Sequence, residues 1–159
     1  MISAIHQSPV GRLTLISDGK ALTHCEFENP RYPFEDAPRG EDAIIAKART
    51  QLDAYFAGKL HAFDLPLAPQ GTEFQQRVWK ALLKIPYGAT RSYGQQALAI
   101  GSPKAVRAVG LANGRNPIAI IIPCHRVIGA NGSLTGYGGG MARKQLLLDL
   151  EQGAPQLGC

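Results

Sequence analysis

Three consecutive residues in the second half of the chain have the side chains of a nucleophilic site. Cys124 supplies a thiol, His125 a base and Arg126 a fixed positive charge. A base and a cation beside a cysteine favour the thiolate, which is the reactive form of the side chain. A cysteine taken alone is more often a buried packing residue. The two neighbours reverse that preference, so the motif predicts covalent chemistry at Cys124.

The five residues 118–122 are apolar and mostly β-branched, and Pro117 and Pro123 flank them. Such a run is typical of a strand buried on both faces, and proline cannot continue an interior ladder of hydrogen bonds. The pattern therefore predicts a rigid buried strand that ends where Cys124 begins.

The composition describes an ordinary globular protein. Of the 159 residues, 45% are hydrophobic and 18% are charged, which argues against a disordered chain. We expect neither a membrane span nor a secretory signal, because no long apolar run and no basic start followed by an apolar core is present. Three cysteines, Cys25, Cys124 and Cys159, are unlike a disulfide framework. We therefore expect a cytoplasmic protein whose reducing surroundings keep Cys124 free to react.

The net charge of +5 is unevenly distributed along the chain. Residues 1–70 carry seven basic and nine acidic side chains, whereas residues 71–159 carry ten basic and three acidic ones. All ten basic residues lie between positions 74 and 148, where there is no acidic residue. This is the footprint of a protein that binds a polyanion such as nucleic acid. A solvated basic face without a partner is the alternative.

The start of the chain predicts a small sheet. Turn signals at residues 8–11 and 17–20 separate segments with the β pattern, which indicates a three-stranded meander over residues 1–27. Residues 28–40 are rich in proline and charge and predict a loop.

The next segment predicts an amphipathic helix that covers the sheet and ends at Gly58. Its apolar residues recur at every fourth position: Ile44, Ala48, Leu52 and Phe56. Residues 65–71 then break the pattern where the charge balance changes. We therefore place a boundary there, between domains formed by residues 1–70 and 71–159.

The second half begins with a helix that Thr72 and Gln75 start through a capping box. Its predicted apolar face consists of Phe74, Val78, Leu82 and Ile85.

An outline of a helix-turn-helix follows. Ser92 can cap a short helix, Gly101 makes a turn, and Ser102 with Pro103 predicts the start of a second helix that runs to Asn113-Gly114. On this second helix the residues expected to face inward are Val106, Val109 and Gly110, and those expected on another side are Lys104, Arg107 and Leu111. An ordinary helical hairpin has the same pattern.

Residues 129–140 contain six glycines and Tyr137. So many glycines allow a ligand to approach the backbone closely. The last helix is predicted by Leu146, Leu147 and Leu150; it carries Lys144 and Glu151 and ends at Gly153 and Pro155.

The motif PCHRV at residues 123–127, with Asn116 before it and the glycine-rich segment after it, strongly resembles the O6-alkylguanine-DNA alkyltransferase family (methylated-DNA–protein-cysteine methyltransferase). The resemblance covers about half of the chain, residues 72–151. It implies an α+β fold, with a ribonuclease-H-like domain followed by a helical, winged-helix-like DNA-binding domain. It also implies DNA repair without a cofactor. The alkyl group moves from O6 of guanine, with O4 of thymine as a second candidate, to the cysteine, and each molecule reacts once.

The resemblance implies roles for four catalytic residues. Cys124 accepts the alkyl group, His125 acts as its base through a water, Glu151 orients His125, and Asn116 is a hinge that bonds the turn. Adjacent residues on an extended chain point to opposite sides, so a water would join His125 to the thiol. An imidazole that donates to a carboxylate keeps its other nitrogen basic.

The resemblance also implies how the substrate is held. The hydroxyl of Tyr93 donates to the guanine ring, and Tyr137 lines the alkyl pocket. Gly138 stands where some relatives have serine, which leaves room for bulkier alkyl groups. Val127 and Lys144 complete the substrate-binding set.

For DNA, the resemblance implies that the second helix lies in the minor groove and that Arg107 fills the gap left by a flipped base. The other DNA-binding residues are Ser92, Lys104, Ala105, Gly110 and Arg115. The expected partner is double-stranded DNA with O6-alkylguanine, and also single-stranded DNA. We expect a monomer, and cooperativity on DNA is left open.

We expect no metal site, although some relatives bind zinc. The ligand spacing of a closed site is missing from the four candidate residues, His6, His24, Cys25 and His61. Two other functions fit the motif. One is a Cys-His hydrolase that turns over, and the other is a winged-helix regulator or lesion sensor that does not react.

Overall fold

The computed structural model describes residues 1–131 and 140–153. The chain divides into two compact units. The first consists of Met1–Gln70 and Pro117–Ile121, and the second of Gly71–Asn116 and Ile122–Cys159. None of the described helices is long and apolar enough to cross a membrane.

The first unit contains an antiparallel sheet of β1 (Ile2–Ser8), β2 (Gly11–Ser17) and β3 (Leu22–Phe27), in that spatial order. This confirms the predicted meander. The turns form where short polar side chains bond the backbone. Asp18, for example, accepts hydrogen bonds from the amides of Lys20 and Ala21.

The helix α1 (Ala43–Phe56) packs on this sheet. Asp42 caps its start and Gly58, with φ of 75°, follows its end. The predicted buried face was partly wrong, since Ile44 and Phe56 are only partly buried. The residues that the helix buries are Ile45, Ala48, Leu52 and Tyr55. A strict spacing of four drifts around a helix with 3.6 residues per turn, and alternating spacings of three and four stay on one side.

The predicted strand over residues 118–122 was wrong. These residues are buried, but only Ile118 pairs with another strand residue, in a single bridge to Cys25. Ile120 has φ of 72°, a left-handed conformation that is rare for a β-branched residue. The apolar run therefore predicted burial correctly and conformation incorrectly.

The second unit begins with α2 (Glu73–Leu82), which starts with the predicted capping box between Thr72 and Gln75. Val78 and Leu82 are buried as expected. Trp79 is also buried, and its indole Nε1 donates a hydrogen bond to the carbonyl of Ala112, 2.9 Å away.

The helix-turn-helix consists of α3 (Tyr93–Ala99) and α4 (Val106–Gly114). Ser92 caps α3 as predicted. The second helix starts three residues later than predicted, because Ser102 and Pro103 form a turn closed by a hydrogen bond from the amide of Ala105 to the carbonyl of Ser102. Serine and proline are also the preferred residues at the first two positions of a β-turn. As a result Val106, predicted to face inward, is 39% exposed.

Two short strands, β4 (Arg91–Ser92) and β5 (Val127–Ile128), pair in parallel. They hold the start of α3 beside the chain that follows Cys124. The last helix is α5 (Met141–Glu151), and it buries two charged residues, Lys144 and Glu151, together with Leu147 and Leu148.

Candidate active site

Residues Cys124–Arg126 form one turn of 3-10 helix. The amide of Arg126 donates to the carbonyl of Pro123. The assumption of an extended chain at Cys124 was therefore wrong, because the backbone turns there. All three side chains of the turn are buried.

Asn116 anchors this turn, as predicted. Its side-chain Nδ2 donates one hydrogen bond to the carbonyl of Ile122 at 2.8 Å and another to Sγ of Cys124 at 3.3 Å. A hydrogen bond donated to sulfur stabilises the thiolate more than the thiol. Asn116 thus links the shape of the turn to the charge of Cys124.

His125 and Glu151 are in direct contact, as predicted. Nε2 of His125 lies 2.6 Å from Oε2 of Glu151, and both side chains are fully buried. Burial lowers the pKa of His125 against the opposing effect of Glu151, so the imidazole is neutral at pH 7. Because Nε2 carries the proton that Glu151 accepts, Nδ1 has a free lone pair. Nδ1 is buried and has no hydrogen-bond partner, so it is available as a base.

Arg126 has a role that the sequence analysis missed. Its Nε and Nη2 donate to the two carboxylate oxygens of Glu151 at 2.7 and 3.1 Å, and its Nη1 donates to the carbonyl of Ile85 at 2.6 Å. The guanidinium sets a positive charge against the carboxylate of Glu151 and holds it in place. The predicted contact of Glu151 with His125 was a usable signal, because a carboxylate that is withdrawn from solvent requires a cation.

Lys144 connects two other predicted residues. It is fully buried, and its Nζ donates to the carbonyl of Val127 at 2.6 Å. The same Nζ is 5.9 Å from the ring centroid of Tyr93. Burial lowers the pKa of Lys144, and Cys124 opposes that shift. A positive charge at Lys144 would favour a thiolate at Cys124.

The residues predicted to bind DNA divide into two groups. Lys104, Arg107 and Arg115 are exposed, so they can contact phosphate or bases. The other three, Ser92, Ala105 and Gly110, are partly buried. The hydroxyl of Ser92 accepts a hydrogen bond from the amide of Gln95. A Cβ at Gly110 would lie 3.8 Å from Cε1 of Tyr93, so that position faces the site.

Tyr137 and Gly138 lie outside the described residues. Within the described ranges no cluster of three or more His, Cys, Asp or Glu could hold a metal ion. Complete burial raises the pKa of the Cys25 thiol and keeps it protonated.

Comparison with known families accounts for nearly the whole chain. Residues 1–69 match the ribonuclease-like domain of 6-O-methylguanine DNA methyltransferase, and residues 73–153 match the DNA-binding domain of the same family. The chain belongs to this family. Membership confirms the predicted fold class, a ribonuclease-like α/β domain followed by a helical DNA-binding domain.

Individual members of the family are similar over most of their length. The methylated-DNA–protein-cysteine methyltransferase of Mycobacterium tuberculosis is 58% identical over 91% of this chain and 88% of its own. That of Methanosarcina acetivorans is 54% identical over 95% and 98%. The crystal structure of M. tuberculosis OGT in complex with DNA superposes with a TM-score of 0.90, at 55% identity, over 98% of this chain and 96% of that one.

Proposed function

We propose that this methyltransferase repairs DNA by moving a methyl or other alkyl group from O6 of guanine to Cys124. The observation that carries the assignment is the buried series from Arg126 through Glu151 to His125, which ends in a free Nδ1 within the turn that holds Cys124. The relatives named above are methylated-DNA–protein-cysteine methyltransferases, which agrees with a cysteine as acceptor.

The transfer requires a thiolate at Cys124 as the nucleophile and a guanine that leaves readily from the alkyl carbon. Nδ1 of His125 takes the thiol proton through a bridging water, and Asn116 and Lys144 stabilise the negative sulfur. The sulfur electron pair then forms the bond to the alkyl carbon while the carbon–O6 bond breaks and its electrons stay on guanine. A hydrogen bond from the hydroxyl of Tyr93 stabilises the charge that develops on the ring.

The product at Cys124 is a thioether, which is a poor leaving group. The protein is therefore consumed by one reaction and needs no cofactor, because the thiolate supplies the electrons for the new bond. The same pathway extends to O4 of thymine if that base can enter the pocket.

The modified base reaches the site by flipping out of the DNA helix. The exposed side chains of Lys104, Arg107 and Arg115 meet the backbone and grooves, and Arg107 occupies the space that the flipped base leaves. A monomer acting on double-stranded DNA, and on single-stranded DNA where no flipping is needed, fits this arrangement. Contacts to phosphate predict affinity that falls steeply with salt.

Intact mass measurement tests the proposal. After incubation with duplex DNA that contains O6-methylguanine, the protein should gain one methyl group, at Cys124, and the reaction should stop at one equivalent. Cys124→Ser should bind DNA and gain nothing, because a hydroxyl is far less nucleophilic, whereas Cys25→Ser should react normally. Continued turnover would indicate a hydrolase, and binding without any adduct would indicate a lesion sensor.

A further inference from the structure

The buried series of Arg126, Glu151 and His125 meets solvent at one end. The side chains of Glu151 and His125 have no exposed surface, whereas that of Arg126 is 8% exposed. Water that entered beside Arg126 would weaken its ion pair with Glu151, because charges attract each other less strongly in a medium of high dielectric constant. Whatever covers Arg126 therefore matters for the whole series.

The cover is a surface turn formed by residues 86–89. The amide of Ala89 donates a hydrogen bond to the carbonyl of Pro86, and Gly88, the third residue, has φ of 82°. A positive φ at the third position is typical of a type II turn and favours glycine. Pro86 and Gly88 are exposed, while Tyr87 between them is partly buried.

The turn contacts both members of the ion pair. The guanidinium of Arg126 lies over the ring of Tyr87, 5.8 Å from the ring centroid, which is within the range of a cation–π interaction. The hydroxyl of Tyr87 lies 3.5 Å from the carbonyl oxygen of Leu150, the residue before Glu151. A Cβ on Gly88 would lie 3.3 Å from the carbonyl oxygen of Glu151, so the backbone of the turn also packs closely against the end of α5.

The electrostatics of Tyr87 agree with this geometry. Burial raises the pKa of its hydroxyl, Glu151 adds to that rise, and Arg126 opposes it. The phenol is therefore close enough to interact with both charges of the pair.

We propose that Tyr87 is a positioning residue for the alkyl transfer. Its ring excludes water from Arg126 and fixes the guanidinium, which in turn holds Glu151 against Nε2 of His125. Tyr87 thus acts through these three side chains and not on the alkyl group itself. This inference rests on the proposed function, because it assumes that His125 takes the proton of Cys124.

Loss of the ring should change the pKa of His125 in a defined direction. Burial is the largest influence on this pKa and lowers it; Glu151 raises it, and Arg126 and Lys144 lower it. The charged residues of α2, the other helix packed against the 3-10 turn, are exposed: Glu73, Arg77 and Lys80. Water that reaches Arg126 makes the surroundings of His125 less apolar, so its pKa should rise.

The test compares Tyr87→Leu with the wild type in two measurements. The first is the pH–rate profile of Cys124 methylation by free O6-methylguanine, followed by intact mass. The midpoint of its acid limb should rise by about half to one pH unit, and the rate at pH 7 should fall about 3- to 10-fold. The second is NMR of protein with isotope-labelled histidine, in which the Nε2 proton of His125 should exchange with water faster in the variant.

Two control variants separate positioning from packing. Tyr87→Phe keeps the ring and should retain the wild-type midpoint and exchange rate. Leu82→Ala removes a buried side chain of α2 and should lower the melting temperature without changing either quantity. Tyr87→Met, which also has no ring, replaces Tyr87→Leu if the leucine variant does not fold.

The outcomes for Tyr87 and for the proposed function can be told apart. If Tyr87→Leu lowers the melting temperature as Leu82→Ala does but keeps the wild-type midpoint and exchange rate, Tyr87 only packs and the inference is overturned. A wild type that gains no methyl group overturns the proposed function instead. Proton exchange at His125 then still decides whether Tyr87 shields the buried series.

Discussion

Glu151→Gln is expected to remove the base without changing the size of the side chain. The carboxylate of Glu151 accepts from Nε2 of His125 and from Nε and Nη2 of Arg126. Glutamine has one oxygen and one NH2 group. Whichever way the amide turns, its NH2 group points at a group that is now a donor.

Two effects follow, and each has its own magnitude. If the NH2 group faces His125, the imidazole must shift its proton to Nδ1 in order to accept, and Nδ1 can then no longer take the thiol proton. Loss of a general base, or of the correct tautomer, costs about 10²- to 10⁴-fold in rate. The guanidinium of Arg126 also loses its buried counter-charge, which costs about 3–5 kcal/mol of unfolding free energy.

The assay is single-turnover alkylation by a free modified base from pH 7 to 9.5, together with denaturant unfolding. The rate deficit of Glu151→Gln should shrink as pH rises past about 8.5, where a thiol begins to ionise unaided. Glu73→Gln, which alters an exposed carboxylate in the first turn of α2, should match the wild type in both measurements. A wild-type rate at pH 7, or a deficit that is the same at every pH, would refute the role of Glu151 as the residue that keeps His125 basic.

Three further outcomes can be checked. Arg107→Ala should slow repair of duplex DNA about 10- to 100-fold at saturating protein and leave the reaction with the free base unchanged. Lys104→Ala should weaken only the affinity for DNA. If Arg107→Ala lowers the rate equally on both substrates, Arg107 supports the fold instead. Because burial lowers the pKa of His125 below 6.5, the midpoint of the acid limb in a pH–rate profile should lie below pH 6.5, and a midpoint at or above that value would contradict a buried neutral base. Burial raises the pKa of Glu26 to about 8, so the contribution of this carboxyl to folding is fully present below its unfolded pKa of 4.5 and is lost as pH rises to about 8. In denaturant titrations between pH 5 and 8, Glu26→Gln should therefore gain unfolding free energy relative to the wild type, whereas the exposed control Glu35→Gln should not. A difference between Glu26→Gln and the wild type that stays constant over this range would be evidence against the raised pKa.

The features that the sequence predicted correctly depend on near neighbours. The capping box at Thr72 and the helix cap at Ser92 each join residues three positions apart, and the meander depends on turn residues between short strands. Such interactions can be read from a few letters because the chain forms them locally. The contact between His125 and Glu151 spans 26 residues and was found only through the family motif.

The errors arose where one local signal has two structural meanings. Ser102 and Pro103 can begin a helix or a turn, and here they form a turn that precedes the start of α4 at Val106. An apolar run such as 118–122 reports burial and not backbone conformation. The pairing of Arg126 with Glu151 was missed because the charge was assigned to the nearest functional group, Cys124, rather than to a carboxylate far along the chain.

The membership of Pro117–Ile121 in the first unit has a consequence for synthesis on the ribosome. Pro117 is made 47 residues after Gln70. At a translation rate of about 5–20 residues per second, the three strands and α1 wait about 2 to 9 s for the segment whose carbonyl and amide groups bond Cys25. The first unit therefore cannot finish folding as soon as residues 1–70 have been synthesised. Its last segment ends at Ile121, three residues before Cys124, so the reactive thiol follows directly on the part of the chain that completes this unit.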